Sequence, residues 1–166
     1  MTDKIRPVVG EHAGDATHGV PVQYGGWNQQ ALDAHGGWIA SAADLARFAA
    51  AFDRQLPADA KPLLASDVVE QMFSAQALIR AADAEKKQNE LHYGFGWLRW
   101  NAGDGRLVNS HNGALACTAA ALIKLPDDLN LAVLFNLGQV KPGEFIARTM
   151  DGELVAVAKE VEHWPQ

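Results

Sequence analysis

The stretch that most constrains this chain runs from Asn109 to Phe135. A polar patch, Asn109-Ser110-His111-Asn112-Gly113-Ala114, leads into the apolar run Leu115 to Leu125; after Pro126-Asp127-Asp128 comes a second apolar run, Leu131 to Phe135. Apolar runs this short, bounded by turn residues, read as strands. Proline followed by two aspartates reads as a turn. Strands joined this closely pair antiparallel, because a parallel pair needs a long crossover.

Upstream, Tyr93 to Trp100 is aromatic and reads as a strand. Asn101-Ala102-Gly103-Asp104-Gly105 has the Gly and Asp content of a hairpin turn, and Arg106 to Ala114 is the returning strand. The expected sheet therefore has about four strands.

Helices are expected on both sides of these strands in the chain. Ser41 is a good N-cap, with Asp44 three residues later favouring the helix dipole. Leu45, Phe48, Ala49 and Phe52 follow at helical spacing, and Pro57 and Pro62 close the segment. Ser66 is read as the cap of a second helix, with Val68, Val69, Met72 and Phe73 inward. Residues 75–90 become strongly polar, which predicts an exposed helix or mobile loop. Pro142 suits the first turn of a C-terminal helix. Its apolar face would be Phe145, Ile146, Met150, Leu154, Val157, Ala158 and Val161, with Gly152 a point of kinking. Residues 1–35 read as a loop-rich segment with one short strand around Val20 to Tyr24. Helices, then sequential strands, then a helix predict an α+β fold, an antiparallel sheet packed with helices. At 166 residues, 1–166 is read as one domain.

Composition narrows the function classes. The net charge is −6 with no basic block, which argues against nucleic acid and against an anionic membrane surface as partners. The longest apolar runs are too short to span a bilayer. Met1-Thr2-Asp3-Lys4-Ile5-Arg6-Pro7 contains no apolar signal region, so a cytoplasmic protein or a piece of a larger one both fit. Cys117 is the single cysteine, which rules out an internal disulfide; in an apolar strand without a basic neighbour it reads as a buried, inert thiol. The histidines at 12, 18, 35, 92, 111 and 163 form no metal-ligand motif, and no metal or other cofactor is implied.

A serine nucleophile needs a base beside it. Ser41, Ser66, Ser74 and Ser110 are followed three residues on by Asp44, Val69, Ala77 and Gly113, so none begins a Ser-x-x-Lys motif. Tyr24 and Tyr93 lack the asparagine of a Tyr-x-Asn motif. Ser110 and His111 are adjacent on a strand, so their side chains point to opposite faces and cannot readily share a proton.

Three segments carry a resemblance: Gly36-Gly37-Trp38-Ile39-Ala40-Ser41-Ala42-Ala43-Asp44-Leu45-Ala46-Arg47-Phe48, Tyr93-Gly94-Phe95-Gly96-Trp97, and the tripeptide His111-Asn112-Gly113 with the strand, acidic turn and strand of Leu122 to Asn136. Their order and spacing resemble the C-terminal half of the serine β-lactamase and penicillin-binding-protein family, nearest the class C enzymes and their esterase relatives, over residues 18 to 160. The resemblance implies a partial β-lactamase/transpeptidase-like fold. It places His111-Asn112-Gly113 where relatives carry Lys-Thr-Gly or His-x-Gly. His111 would face the site, Asn112 would bind a substrate carboxylate, Gly113 would admit substrate, and the N–H of Ala114 would be one half of an oxyanion hole. Trp38 and Tyr93 would stand on the cleft rim. The ligand class is a small molecule or peptide.

Two departures accompany the resemblance. The Ser-x-x-Lys and Tyr-x-Asn segments are absent, so no complete catalytic set is present. Ala116-Cys117 stands where relatives have Gly-Phe, which stiffens a loop that normally approaches substrate. Three readings follow: a hydrolase-like domain catalytically incomplete as this chain, a binding or scaffolding module derived from the fold, or an active esterase or amidase with an unrecognised nucleophile. In the complete fold, strands from the N-terminal half pair with the last strand of this segment. Leu131 to Phe135 would then be an unprotected edge, covered by a homodimer, by the chain's own N-terminal segment or by a complementing chain.

Overall fold

A computed structural model describes residues 5–6, 20–21, 29–83, 85, 89–103, 105–115 and 117–161. The N-terminal part contributes a two-stranded antiparallel ribbon, β1 (Ile5–Arg6) with β2 (Val20–Pro21), then a 3-10 turn at Gln29–Leu32. The rest of the strand expected to reach Tyr24 lies outside the described residues, as do His12, His18, His163, Asp104 and Ala116.

Helix α1 (Ala42–Ala50) begins as its sequence dictates. The Ser41 hydroxyl accepts the Asp44 N–H at 3.1 Å, and the Asp44 carboxylate accepts the Ser41 N–H at 3.3 Å, a closed capping box. The hydrogen bonds from Ser41, with help from the neighbouring Arg47 charge, hold the Asp44 carboxyl below its ordinary value. Helix α2 (Ser66–Phe73) starts differently from expectation. Ala65 is its N-cap and makes no side-chain cap bond, so Ser66 is the first helical residue and not the cap.

The main sheet has six strands: β3 (Ala77–Arg80), β4 (Leu91–Tyr93), β5 (Leu98–Asn101), β6 (Leu107–Leu115), β7 (Thr118–Lys124) and β8 (Asn130–Phe135). They lie in chain order, every neighbouring pair antiparallel. Two findings enlarge the expected sheet. Residues 77–80, within the segment read as exposed helix or loop, form the edge strand β3. Tyr93 to Trp100, read as one strand, is a hairpin. Gly94 donates its N–H to the Trp97 carbonyl at 2.7 Å, and Gly96 has φ +83°, a conformation that favours glycine. The fold lets Trp97 drop into the core while Phe95 stays 62% exposed.

The β5–β6 turn is as its composition predicts. The Asn101 side-chain oxygen accepts the N–H groups of Gly103 and Gly105, both at positive φ. At the β6–β7 turn, Cys117 is half-buried at φ +59°, so it is a turn residue and not part of an apolar strand. After β8, β9 (Gln139–Lys141) and β10 (Glu144–Phe145) make a short ribbon and α3 (Ile146–Glu160) follows. Pro142 sits in the β9–β10 turn, so it precedes the helix by a strand and is not its first turn.

The helices cover the sheet from both sides. On one face Ala49 of α1, Phe52 just after it, Phe73 of α2 and Trp97 form an apolar cluster over Leu122. Phe52, Phe73 and Trp97 meet edge to face, a favoured aromatic geometry. On the other face Val155 and Ala158 of α3 pack on Val108 and Ile123, and Ala147 on Ala119 and Ala121. Val108 and Ile123 are fully buried, each contributing roughly 1.5–3 kcal/mol. The buried stripe of α3 is therefore Ala147, Val155 and Ala158; Val157, expected inward, is 61% exposed. No helix among the described residues is long and apolar enough to cross a membrane.

Candidate functional site

Strand β6 lies inside the sheet, and its nine residues alternate between two environments. Val108 and Ser110 are buried under α3. His111 and Gly113 face the other way and are exposed. The tripeptide His111-Asn112-Gly113 is thereby divided between faces.

On the exposed face, His111 meets Tyr93. The Tyr93 hydroxyl and His111 Nε2 are 3.1 Å apart, and the rings meet edge to face with centroids 6.1 Å apart. Tyr93 reaches this place because the β4–β5 hairpin turns directly after it. A Cβ at Gly113 would meet nothing within 4 Å, so the backbone beside His111 is open to a ligand. Ala114, next on the strand, is also exposed. An imidazole beside a phenol can offer a proton or accept one toward a group lying over Gly113.

Asn112 points to the α3 side. Its Nδ2 donates to Asp151 Oδ2 at 2.8 Å, and it is half-buried. Asp151 lies on the inner stripe of α3, four residues from both Ala147 and Val155. Burial pushes its carboxyl above the ordinary value, and the Asn112 hydrogen bond and Arg148 charge oppose that only in part. Ser110 is fully buried, and its hydroxyl accepts the Trp100 indole N–H at 3.0 Å. His111 and Tyr93 are thus brought together, whereas Asn112 and Ser110 are held on the opposite face.

Trp38 is 80% exposed in the loop before α1, its indole N–H donating to the Asp33 carbonyl at 2.7 Å. That loop passes β6 at Gly36, where an added Cβ would come 4.0 Å from the Leu115 side chain. Among the described residues no cluster of His, Cys, Asp and Glu is placed to hold a metal ion.

Two polar constellations escaped sequence reasoning. One is Asn112 with Asp151; its signal was an acid at stripe spacing in an apolar helix face. The other joins Lys124, Asp53, Asn130 and Asp128. Lys124 is 5% exposed and its ammonium donates to Asp53 Oδ1 and, at 3.3 Å, to Asn130 Oδ1. The Asn130 amide donates to both Asp53 oxygens, and Asp128 accepts the N–H groups of Arg54 and Gln55. No serine belongs to this network, so its lysine ties the segment after α1 to the β7–β8 turn.

Among the described residues, edge strand β8 is paired only on its β7 side. A groove of about 400 Å³ runs along it, walled by Ala42 and Ala46 of α1, Leu131 and Val133 of β8, and Leu154 and Val157 of α3.

No curated protein and no solved structure gave a match to the chain. A family model described as Beta-lactamase matches residues 3–154, which include the sheet, α1, α2 and most of α3. With an α+β fold, a six-stranded antiparallel sheet and that match over most of its length, the chain belongs to the Beta-lactamase family.

Proposed function

We propose that these 166 residues form a β-lactamase-related serine-hydrolase-like module that is catalytically incomplete by itself, with the His111 face of β6 as one wall of a cleft for a small molecule or peptide. The observation that carries this reading is the position of the four serines. Ser41 caps α1, Ser66 opens α2, the Ser74 hydroxyl donates to the Gln71 carbonyl at 2.7 Å, and Ser110 is buried against Trp100. The buried lysine, Lys124, is held by Asp53. Among the described residues no serine is paired with a lysine, and no serine stands beside the His111–Tyr93 pair.

The open edge of β8 and the apolar groove along it support completion by an extended strand from a complementing chain. A binding module without chemistry is the second reading, favoured by the intact Tyr93–His111 wall beside the open Gly113 backbone.

Intact mass after incubation with a fluorophosphonate and, separately, with a penicillin tests the proposal. No adduct is expected on this chain alone. A stoichiometric adduct that maps to one serine would show an activated nucleophile and overturn it.

A further inference from the structure

Beneath the cleft strand, Asn112 and Asp151 share one hydrogen bond, from Asn112 Nδ2 to Asp151 Oδ2 at 2.8 Å. Each group has a second oxygen. Asn112 Oδ1 and Asp151 Oδ1 are both buried, and among the described residues neither has a hydrogen-bond donor. An amide oxygen is always an acceptor, and an ionised carboxylate offers acceptors only. Buried acceptors without a donor are costly to leave. One proton resolves both: a carboxylic acid and a carboxamide can close a two-hydrogen-bond ring, N–H to the acid carbonyl and O–H to the amide oxygen.

We propose that Asp151 is a neutral carboxylic acid in the folded protein and that it clamps Asn112 in such a ring, a proton-dependent latch between α3 and the cleft strand β6. The surroundings are consistent with it. Among the described residues, the charged groups near Asp151 are Arg148 on its own helix and Arg80 of β3, which lines the same pocket on the α3 side of the sheet. Around the pair, β5, β6 and β7 present Trp100, Ser110 and Ala121, none of which titrates near neutrality. Burial outweighs the Arg148 charge, so the carboxyl is raised on balance. The latch stands independently of whether the His111 face binds substrate.

The sign of its pH dependence follows. Between the unfolded carboxyl value of about 3.9 and the raised folded value, the folded chain holds a proton that the unfolded chain has lost. Stability from this group is therefore complete at low pH and declines as pH rises through that window.

The test compares the wild type with Asp151→Asn. An asparagine at 151 can make the same ring with its own amide N–H at every pH. The ratio of their folding equilibrium constants should be near its low-pH value at about pH 3.5. It should then move against the wild type by up to about tenfold for each pH unit across the window. Infrared spectra of the folded wild type just above the unfolded carboxyl value of about 3.9 should retain a protonated-carboxyl band that Asp151→Asn lacks. This second measurement does not depend on comparing stabilities. A pH-independent ratio, or a wild-type spectrum without that band, would overturn the proposal.

Discussion

Lys124 shows how a single charge inside an apolar strand can be tolerated. It ends β7 almost completely buried, and it is stable there because Asp53 supplies the opposite charge, with Asp128 3.9 Å away, and Asn130 a further polar contact. Replacing it by methionine keeps the volume but leaves the Asp53 carboxylate enclosed without its cation. Breaking a buried pair from one side costs about 3–5 kcal/mol, so Lys124→Met should lower stability by roughly 3 kcal/mol in denaturant unfolding. Asp128 works beside it at φ +59°, and its carboxylate tethers Arg54 and Gln55 from that left-handed position. None of this was legible in the sequence, where Lys124 looks like the polar end of a strand and Asp127-Asp128 like a turn. The turn reading was sound, but which acid reaches back to the segment after α1 depends on chain positions more than seventy residues apart.

The Tyr93–Trp97 hairpin makes the corresponding point for elements. Gly94 lies so close to the end of α2 that an added Cβ would sit 2.5 Å from the Met72 carbonyl oxygen and 2.9 Å from that of Ser74. Both obstacles are backbone and cannot rotate away. Gly94→Ala should therefore push α2 from the sheet and cost about 2 kcal/mol, measured as a fall in thermal midpoint. The three expected strands after Arg106 appear as β6, β7 and β8, and α1 with its capping box and a C-terminal helix also form as expected, because alternation, caps and turn residues are local signals. Local signals failed where the sheet supplied the reason. Residues 77–80 are exposed along their length and carry no burial pattern, so their pairing with β4 could not be read from the segment itself. The aromatic run at 93–100 hid a turn, since Gly96 at φ +83° is visible only once the chain has folded back. For the candidate site, strand periodicity already separated Ser110 from His111. The same rule puts Asn112 with Ser110, a consequence that the family comparison obscured.

At the scale of the whole molecule, the question is what the last strand of the sheet meets. β8 runs in regular register with β7 and has neither proline nor charge along Leu131 to Phe135, so nothing in it discourages another strand. The helix ridge above carries Glu153 and Glu160, one turn either side of Val157 and both exposed. A second copy joined edge to edge about a two-fold axis would bring these acids toward their own counterparts, on a chain of net charge −6. Self-association should therefore be weak at low ionic strength and increase several-fold at high salt, where the repulsion is screened. Leu134→Lys, a charge placed on the exposed edge, should abolish that increase. Sedimentation velocity over a salt series reads both results, and strong dimerisation at low salt that persists in Leu134→Lys would contradict them. The two-sidedness of β6 has a bearing on the history open to such a chain. Substitutions at His111 or Gly113 alter what the exposed face of β6 presents while leaving Val108, Ser110 and Asn112 anchored on the α3 side. The strand can therefore gain, lose or exchange chemistry on one surface under selection while heredity of the fold is carried by the other.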